Sequence, residues 1–438
     1  MRTNNAVLYT IDTMLTIALG YKAQYHVLTI DSNYLEIEVQ GIMMKFFICN
    51  EEKFQQLLYG NVMLNNIDSY DQYYQLPILK LENNEDFFSL EDSVLSINFD
   101  IISLPFILLS GLDEFYFNRK DLLDRFPYKD SIIQKYNLIR IPLVDEYAFL
   151  LRKLIMNNFS HISVETRASR IIPTHDIDDL YRFTGPIKTL KSLGYQLIQT
   201  FNIVETFEAF VDSIKTFFDK KNDPYFKGIL KLLQDSENAN LQSCFFFMTA
   251  PKTDYDRGQE ISDERVKHIF KLLKEKRMLI GIHPGFYTYQ DFDEMKRQIS
   301  LLKKDTSTDI SISRQHYLRF DRKKTFDIME QNDILIDYTL GFAEEEGFRC
   351  GTSHEFNPYN IKEDKPYNII ERPLIAMDVT LQHVKKYNTK EAFNSLCELY
   401  NVVKRTEGNF IILWHNAYVH RERKWYNEVY SKFIFQRS

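Results

Sequence analysis

SRIIPTHDID, residues 169–178, is the first of seven short apolar runs that each end in polar residues. The other six are LQSCFFFMTA (241–250), RMLIGIHPG (277–285), DISISRQHYL (309–318), DILIDYTLG (333–341), LIAMDVTL (374–381) and NFIILWHNAY (409–418). Runs of bulky residues without polar alternation are typical of strands buried on both faces, as in parallel sheets. Amphipathic helical patterns separate several of them, at 261–276, 289–304 and 389–405. The sequence therefore predicts an α/β fold of repeated strand–helix units.

Seven such units favour a closed or nearly closed barrel over residues 169–438. A doubly wound open sheet is the alternative, but no glycine-rich phosphate turn follows any of the strands. Residues 1–160 contain shorter strand-like runs and a helical pattern before the polar stretch near 158–168. We expect a smaller, separate α/β domain there, packed beside the barrel and without a catalytic constellation.

Composition narrows the classes of function. The chain has 438 residues, 44% apolar and 26% charged, with only 14 Gly and 12 Pro, which excludes a disordered or collagen-like protein. The net charge of −7 includes no strongly basic region, so a nucleic-acid partner is not expected. The four cysteines are far apart and predict buried, reduced thiols. No run reaches the roughly 18 apolar residues that span a bilayer, and no signal peptide is evident, so we expect a cytoplasmic protein.

Histidines, carboxylates and an arginine stand where the predicted strands end, and in a barrel that edge carries the chemistry. They are Asp176, Asp178, His283, Arg314, His316, Asp337, Asp378 and His415. A buried carboxylate needs a partner, because desolvating an unpaired charge costs several kcal/mol. A divalent cation is the simplest one. Imidazole and carboxylate ligands favour Zn²⁺, with Fe²⁺, Mn²⁺ and Co²⁺ as alternatives.

The densest signal is PTHDIDD at 173–179. Side chains alternate along a strand, so Asp176 and Asp178 are predicted to share a face. One carboxylate could then bind a metal while the other accepts a proton. The alternative interpretation is an Asx turn or helix cap that opens the next helix.

The order of these motifs resembles the polysaccharide deacetylases with a NodB homology domain, carbohydrate esterase family 4. The resemblance covers residues 169–438 and rests on THDID (174–178), HPGFY (283–287), RQHYLR (314–319), DY (337–338) and IILWH (411–415). It also extends to a branch from bacterial surface-polysaccharide clusters that carries an extra N-terminal domain. It implies an irregular (β/α)₇ barrel and a metal-dependent hydrolase that removes an N- or O-linked acetyl group from a sugar.

The resemblance also implies roles for individual residues. Asp176 would be the general base, His415 the general acid, and Asp178 and His283 metal ligands. Independently of the resemblance, Arg314 could orient Asp176 through a charge-assisted bond that its two nitrogens can make bidentate. Asp337 could pair with Arg314 or hold His415 in the required tautomer.

This sequence departs from the family's motifs at two positions of the expected metal site. The family's adjacent Asp-Asp pair is split here by Ile177, and its second metal histidine is replaced by Tyr287, a poor ligand at neutral pH. We therefore expect His316 to complete the site, with Tyr287 nearby but not ligating. The competing possibility is that His316 contacts substrate while water completes the metal shell. His175 is a weaker substitute, because alternation turns it away.

The expected substrate is an acetylated intracellular sugar or glycan precursor. Two other classes stay open. One is a catalytically inactive barrel that acts as a glycan-binding or scaffold module, which Tyr287 favours. The other is an amidohydrolase, although the HxH pair typical of its first strand is absent. The aromatic stretch 347–361 either lines a sugar groove or covers the barrel.

Overall fold

A computed structural model describes residues 2–72, 75–80, 86–200, 203–258, 261–421 and 423–437. Its first part mixes two small sheets with helices. The strands are β1 (Tyr25–Ile30), β2 (Tyr34–Val39), β3 (Ile42–Phe47), β4 (Asn65–Asp68), β5 (Gln75–Lys80), β6 (Phe88–Glu91), β7 (Val94–Ile97) and β8 (Phe99–Asp100). The helices are α1 (Asn4–Leu19), α2 (Glu51–Leu58), α3 (Ser103–Ser110), α4 (Leu112–Phe117), α5 (Ile132–Lys135) and α6 (Leu143–Asn158). One sheet has the order β1-β2-β3-β7-β6 and the other β4-β5-β8.

The second part alternates strands with helices. Its strands are β9 (Arg170–Ile177), β10 (Cys244–Phe247), β11 (Leu279–Ile282), β12 (Ile312–Ser313), β13 (Ile336–Asp337), β14 (Tyr359–Asn360), β15 (Lys365–Pro366), β16 (Ile370–Glu371), β17 (Ala376–Met377) and β18 (Asn409–Leu413). Its helices are α7 (Pro186–Thr200), α8 (Ile203–Phe218), α9 (Pro224–Asn238), α10 (Glu264–Glu275), α11 (Phe292–Thr306), α12 (Thr325–Gln331), α13 (Thr389–Arg405), α14 (Asn416–Arg421), α15 (Arg423–Trp425) and α16 (Lys432–Arg437). The three helical patterns quoted from the sequence correspond to α10, α11 and α13.

All seven apolar runs become strands of one curved parallel sheet with the order β16-β13-β12-β11-β10-β9-β18-β17. The expected α/β fold is thereby confirmed. The sheet has eight strands and not the seven expected, because β16 is a strand that no apolar run predicted. Ile370–Glu371 is only two residues long, too short for a periodic pattern. Within the described ranges β16 and β17 are the sheet's edge strands, so a closed seven-stranded barrel stays a prediction.

The two parts of the chain share a continuous apolar interior. Side chains of α1, α3 and α6 belong to the same buried cluster as side chains of β9, α9 and α13. Polar contacts reinforce this packing: Glu114 lies 2.8 Å from Arg349, and Asp145 accepts a 2.8 Å hydrogen bond from the backbone of Ser353. The division between a 1–160 domain and a 169–438 domain stays a prediction.

Two expectations from composition concern thiols and membranes. Cys49, Cys244, Cys350 and Cys397 are all buried and free, as predicted. In the part of the chain that the structure describes, no helix combines the length and the apolar character needed to cross a bilayer.

Candidate metal centre

The candidate site residues gather at the carboxyl ends of the parallel strands. β9 carries Asp176 and is followed directly by Asp178, while His283 follows β11 and His316 lies three residues beyond β12. These strands are near neighbours, because only β10 separates β9 from β11 and β12 pairs with β11. Parallel strands present their carboxyl ends at one edge, so residues distant in sequence meet there.

Asp178, His283 and His316 form the tightest group. Each offers one ligand atom, and these atoms all lie within 4.8 Å of one another, so the three residues could hold a metal ion. The Nε2 atom of His283 is 3.1 Å from Oδ1 of Asp178, and that of His316 is 3.9 Å from the same oxygen. This oxygen is buried and lacks a hydrogen bond of good geometry. Two imidazoles and a carboxylate suit Zn²⁺ and related divalent ions.

Hydrogen bonds at Nδ1 orient both imidazoles. Nδ1 of His283 lies 2.6 Å from the carbonyl oxygen of Arg314, and Nδ1 of His316 lies 2.8 Å from Oδ1 of Asp256. Each ring therefore presents Nε2 to the centre, as metal-ligating histidines commonly do. Burial opposes charge on Asp178, yet the neighbouring histidines hold the pKa of its carboxyl well below the usual value.

Asp256 is a residue that the sequence did not single out. It lies in the segment between β10 and α10, where no apolar run or strand end marks it. Besides His316, its carboxylate accepts a 3.0 Å hydrogen bond from the backbone of Phe286 and another from Thr253. It thus ties the segments after β10, β11 and β12 together.

Asp176 lies beside this group and is almost fully buried. Its Oδ2 is 3.7 Å from Nε2 of His283, and its Oδ1 is 3.3 Å from Nη1 of Arg314. Asp176 and Asp178 thus both approach His283, the arrangement that strand alternation predicts. Arg314 also donates to the hydroxyl of Thr174 at 2.7 Å and to the carbonyl of Tyr338 at 3.0 Å. Its contact with Asp176 involves one nitrogen and is not bidentate.

His415 approaches Asp178 from β18. Its Nε2 is 3.8 Å from Oδ2 of Asp178, and its Nδ1 is 2.8 Å from Oδ1 of Asp378. Asp378 also accepts a 2.7 Å hydrogen bond from the backbone of His415. Burial opposes protonation of the ring, but the carboxylates of Asp378, Asp178 and Asp176 together outweigh it, and the pKa of His415 rises to about 10.

Asp337 does not hold His415, which is one of the two partners that the sequence analysis expected for it. Its carboxylate accepts hydrogen bonds from the hydroxyl and the backbone of Thr339, at 2.8 and 3.1 Å. Its neighbour across the sheet is Glu371 of β16, and burial raises the pKa of both carboxyls. The residue that holds His415 is Asp378, which follows the adjacent strand β17.

His175 and Tyr287, the other two residues considered as ligands from the sequence, make ring contacts. The His175 ring is buried between Phe245 and Tyr430, with Nδ1 3.0 Å from the carbonyl oxygen of Trp414. Burial lowers the pKa of His175 to about 3, so the ring is neutral. Tyr287 is 51% exposed and its ring contacts Phe286 and Tyr255.

The aromatic stretch 347–361 covers the barrel. Arg349, His354, Phe356 and Tyr359 are buried, and the Tyr359 ring packs against Tyr9 and Phe106 of the first part of the chain. The aromatic rings of this segment are therefore not exposed for stacking on a sugar, although His354 and Glu355 border a cavity.

Exposed aromatic rings lie instead beside His316. Tyr317 follows it in sequence, with ring centroids 4.3 Å apart, and is 40% exposed. Tyr255 stacks on Phe286 at 3.7 Å and is 38% exposed. Tyr317 has a φ of 60°, a left-handed conformation that is uncommon for an aromatic residue and turns the chain sharply here.

A cavity of about 910 Å³ lies at the opposite end of the strands. It is lined by residues at their amino ends, including Arg170, Leu279 and Asn409. None of the candidate metal ligands borders it. Buried histidines and carboxylates that converge on one point identify a metal site better than cavity volume does, so we assign the candidate site to the carboxyl edge.

Residues 1–160 match the model of a family of unknown function, DUF7033. No curated protein matches the chain. Among solved structures, one from Mycobacterium smegmatis, described as a candidate polysaccharide deacetylase, aligns with 60% of this chain and 84% of its own at 12% identity and a TM-score of 0.37. This likeness is too low to indicate an activity or a substrate.

Proposed function

We propose that the protein is a metal-dependent hydrolase that removes an acetyl group from a sugar or glycan precursor. The observation that carries the proposal is the convergence of Asp178, His283 and His316 within 4.8 Å, with Asp176 and His415 beside them. Two groups able to move protons flank a set of metal ligands, which is the minimum that hydrolysis by an activated water requires.

Asp178, His283 and His316 would hold the metal. The buried Oδ1 of Asp178 has no good hydrogen bond, and both imidazoles direct Nε2 to the same place. When bound, a divalent cation such as Zn²⁺ supplies Lewis acidity and lowers the pKa of water toward neutrality. Side chains that orient the ligands also raise metal affinity, and Asp256 would orient His316 in this way.

Asp176 would act as the general base. One of its oxygens is fixed by Arg314, while the other lies on the side of His283. A carboxylate held in this way can accept a proton from an attacking water without changing its own orientation. Replacing it with asparagine preserves shape and removes that capacity.

His415 would act as the general acid. Nδ1–H donates a hydrogen bond to the Asp378 carboxylate, so the opposite nitrogen, Nε2, faces Asp178 and the reacting region. A proton at Nε2 can pass to the leaving amine or alkoxide of the sugar. Asp378 acts through His415 and is therefore a positioning residue.

A sugar substrate is supported by the aromatic rings next to His316. Tyr255, Tyr287 and Tyr317 are each between 38% and 51% exposed and surround Phe286. Aromatic faces pack well against the apolar CH surfaces of a pyranose ring, and their hydroxyls add hydrogen bonds.

Metal analysis combined with an acetate-release assay tests this proposal. The protein as purified is expected to hold a stoichiometric divalent metal and to release acetate from acetylated amino-sugar oligosaccharides. Chelation should abolish release, and added Zn²⁺ should restore it. The Asp178→Asn variant should lose the metal and the activity together.

The outcomes separate the proposed enzyme from its rivals. A protein without metal after careful handling, and inert when metal is added, would favour the inactive glycan-binding barrel. Stoichiometric metal with no acetate release from any acetylated sugar would point to a different metal hydrolase.

A further inference from the structure

The cavity of about 910 Å³ at the amino ends of the strands is lined mainly by polar side chains. Packing voids in proteins are typically lined by apolar side chains, so a polar lining indicates a site for a ligand or for water. Small-molecule sites occupy roughly 300–1,000 Å³, and this cavity is therefore large enough for a ligand. Among the described residues, four arginines and two glutamates line it: Arg167, Arg170, Arg372, Arg437, Glu355 and Glu407.

Both glutamates of this lining already have cationic partners. The Oε2 atom of Glu355 lies 2.9 Å from Nε of Arg372. The Oε1 atom of Glu407 lies 2.9 Å from Nη1 of Arg152, which does not line the cavity, and its Oε2 accepts a 2.9 Å hydrogen bond from the backbone of Arg167. In the part of the chain that the structure describes, these pairs leave three arginines of the lining without a carboxylate partner: Arg167, Arg170 and Arg437.

These three arginines reach the cavity from different parts of the chain. Arg167 precedes β9, Arg170 is the first residue of β9, and Arg437 is the last residue of α16. The Nε atom of Arg167 donates a 2.8 Å hydrogen bond to the carbonyl oxygen of Gly20, which holds this side chain in place. Arg170 and Arg437 are exposed, so their guanidinium groups are accessible to a ligand from solvent. A concave surface lined by one sign of charge concentrates counter-ions, and this cavity therefore attracts anions.

The cavity also has an apolar wall, which is formed by Ile172, Leu279 and Tyr338. Tyr338 belongs to a buried cluster with Phe246, and the other two side chains pack against that cluster. The hydroxyl of Tyr338 accepts a 2.6 Å hydrogen bond from Nη1 of Arg372, so a guanidinium group lies next to the apolar wall. Apolar surface combined with a few placed polar groups is typical of sites for small organic ligands.

We infer that this cavity binds a small molecule that carries a phosphate or diphosphate group on an organic part. Guanidinium groups bind phosphate oxygens through paired, charge-assisted hydrogen bonds. A single carboxylate would not balance three arginines, whereas one phosphate monoester already carries a charge of about −1.5 to −2 at pH 7. The organic part would lie against Ile172 and Leu279. The inference goes beyond the proposed hydrolysis and does not depend on a bound metal.

Isothermal titration calorimetry of the full chain tests the inference. The probes are uridine diphosphate, glucose 1-phosphate and inorganic diphosphate, with uridine and glucose as the uncharged parents of the two esters. At least one ester should bind more tightly than inorganic diphosphate and than its own parent.

A pair of double variants locates the bound ester. Arg170→Gln/Arg437→Gln should lower the affinity for the ester by about tenfold or more, because charge-assisted hydrogen bonds are lost. The matched control is Arg119→Gln/Arg297→Gln, which removes the same two charges from side chains that are 57% and 45% exposed and do not line this cavity. The control should bind the ester as the wild type does.

Four outcomes would overturn the inference. They are no binding of any phosphate probe to the wild type, esters that bind no more tightly than inorganic diphosphate or their parents, equal loss in both double variants, or loss of ester binding in Asp178→Asn. The last result would place the ester at the carboxyl edge, whereas Asp178→Asn should bind it as the wild type does. Absence of metal or of acetate release would therefore leave this inference standing, and absence of ester binding would leave the metal proposal standing.

Discussion

Two clusters of acidic residues lie at the carboxyl edge of the same parallel sheet, and they differ in their partners. At β9, the carboxylates of Asp176 and Asp178 meet the imidazole of His283. At β13 and β16, Asp337 and Glu371 are direct neighbours across the sheet, and both are fully buried. Identical positions at strand ends therefore gave two different local chemistries.

The two clusters differ in the side chains that surround their carboxylates. Imidazoles hold the pKa of Asp178 low, so its carboxylate is charged and available to a cation. In the second cluster, burial and the charge of Asp337 raise the pKa of Glu371 well above its usual value. Like charges this close cannot both be ionised cheaply, so the environment favours the protonated form of Glu371. Carboxylates at a strand end indicate a metal site only when imidazoles converge on them.

The largest expected effect is on kcat, and it distinguishes the cluster at β9 from the cluster at β13 and β16. Asp176→Asn should lower kcat for acetate release by about 10²–10⁴, because the proton acceptor is lost. Metal content should be unchanged, since Asp178, His283 and His316 are intact. Glu371→Gln, a matched carboxyl-to-amide change, should keep kcat near the wild-type value. Steady-state kinetics and metal analysis of both variants check this. Equal loss of activity in the two variants would show that the clusters do not differ in function.

Much of the fold and the site was predictable because it follows from local patterns. Buried parallel strands need long apolar runs, and seven such runs located seven strands. The residues after them then had to meet at one edge, so the sequence placed Asp178, His283 and His316 together. The expectation that Tyr287 does not ligate the metal stays a prediction.

The remaining contacts depend on packing that no local pattern encodes. Asp256 lies in an irregular segment, yet it reaches His316 at 2.8 Å. Asp378 and Asp337 look alike in sequence, each at the end of an apolar run. Only the strand order shows that Asp378 is next to His415, because β17 pairs with β18 while β13 pairs with β16. β16 itself is too short to be read from a pattern.

Substitutions in the imidazole-containing cluster are expected to have a smaller effect, on metal affinity. They test which side chains of this cluster are metal ligands. His283→Ala and His316→Ala should each weaken metal binding by about tenfold or more. Asp256→Asn should weaken it less, because it changes only the orientation of the His316 ring. Competition with a chromogenic chelator measures all three affinities. Full metal occupancy in His316→Ala, together with an empty His283→Ala, would make His316 a substrate residue and leave two protein ligands.

The smallest expected effect concerns stability at the second cluster. Because burial, and then the charge of Asp337, raise the pKa of Glu371 in the folded state, the native protein holds a proton that the unfolded chain releases above about pH 4.3. The folded state binds more protons, so this contribution to stability is present at low pH and is lost as pH rises toward the folded-state pKa. Glu371→Gln removes that ionisation while keeping an oxygen for the 3.0 Å hydrogen bond from the Leu340 backbone. Urea denaturation of both proteins between about pH 5 and pH 8 should show the wild type losing up to about 1 kcal/mol per pH unit relative to the variant. The metal-dependent contribution is common to both proteins and cancels in this difference. A difference that stays constant across the range would mean that Glu371 is ionised throughout, and the two clusters would then be alike in charge.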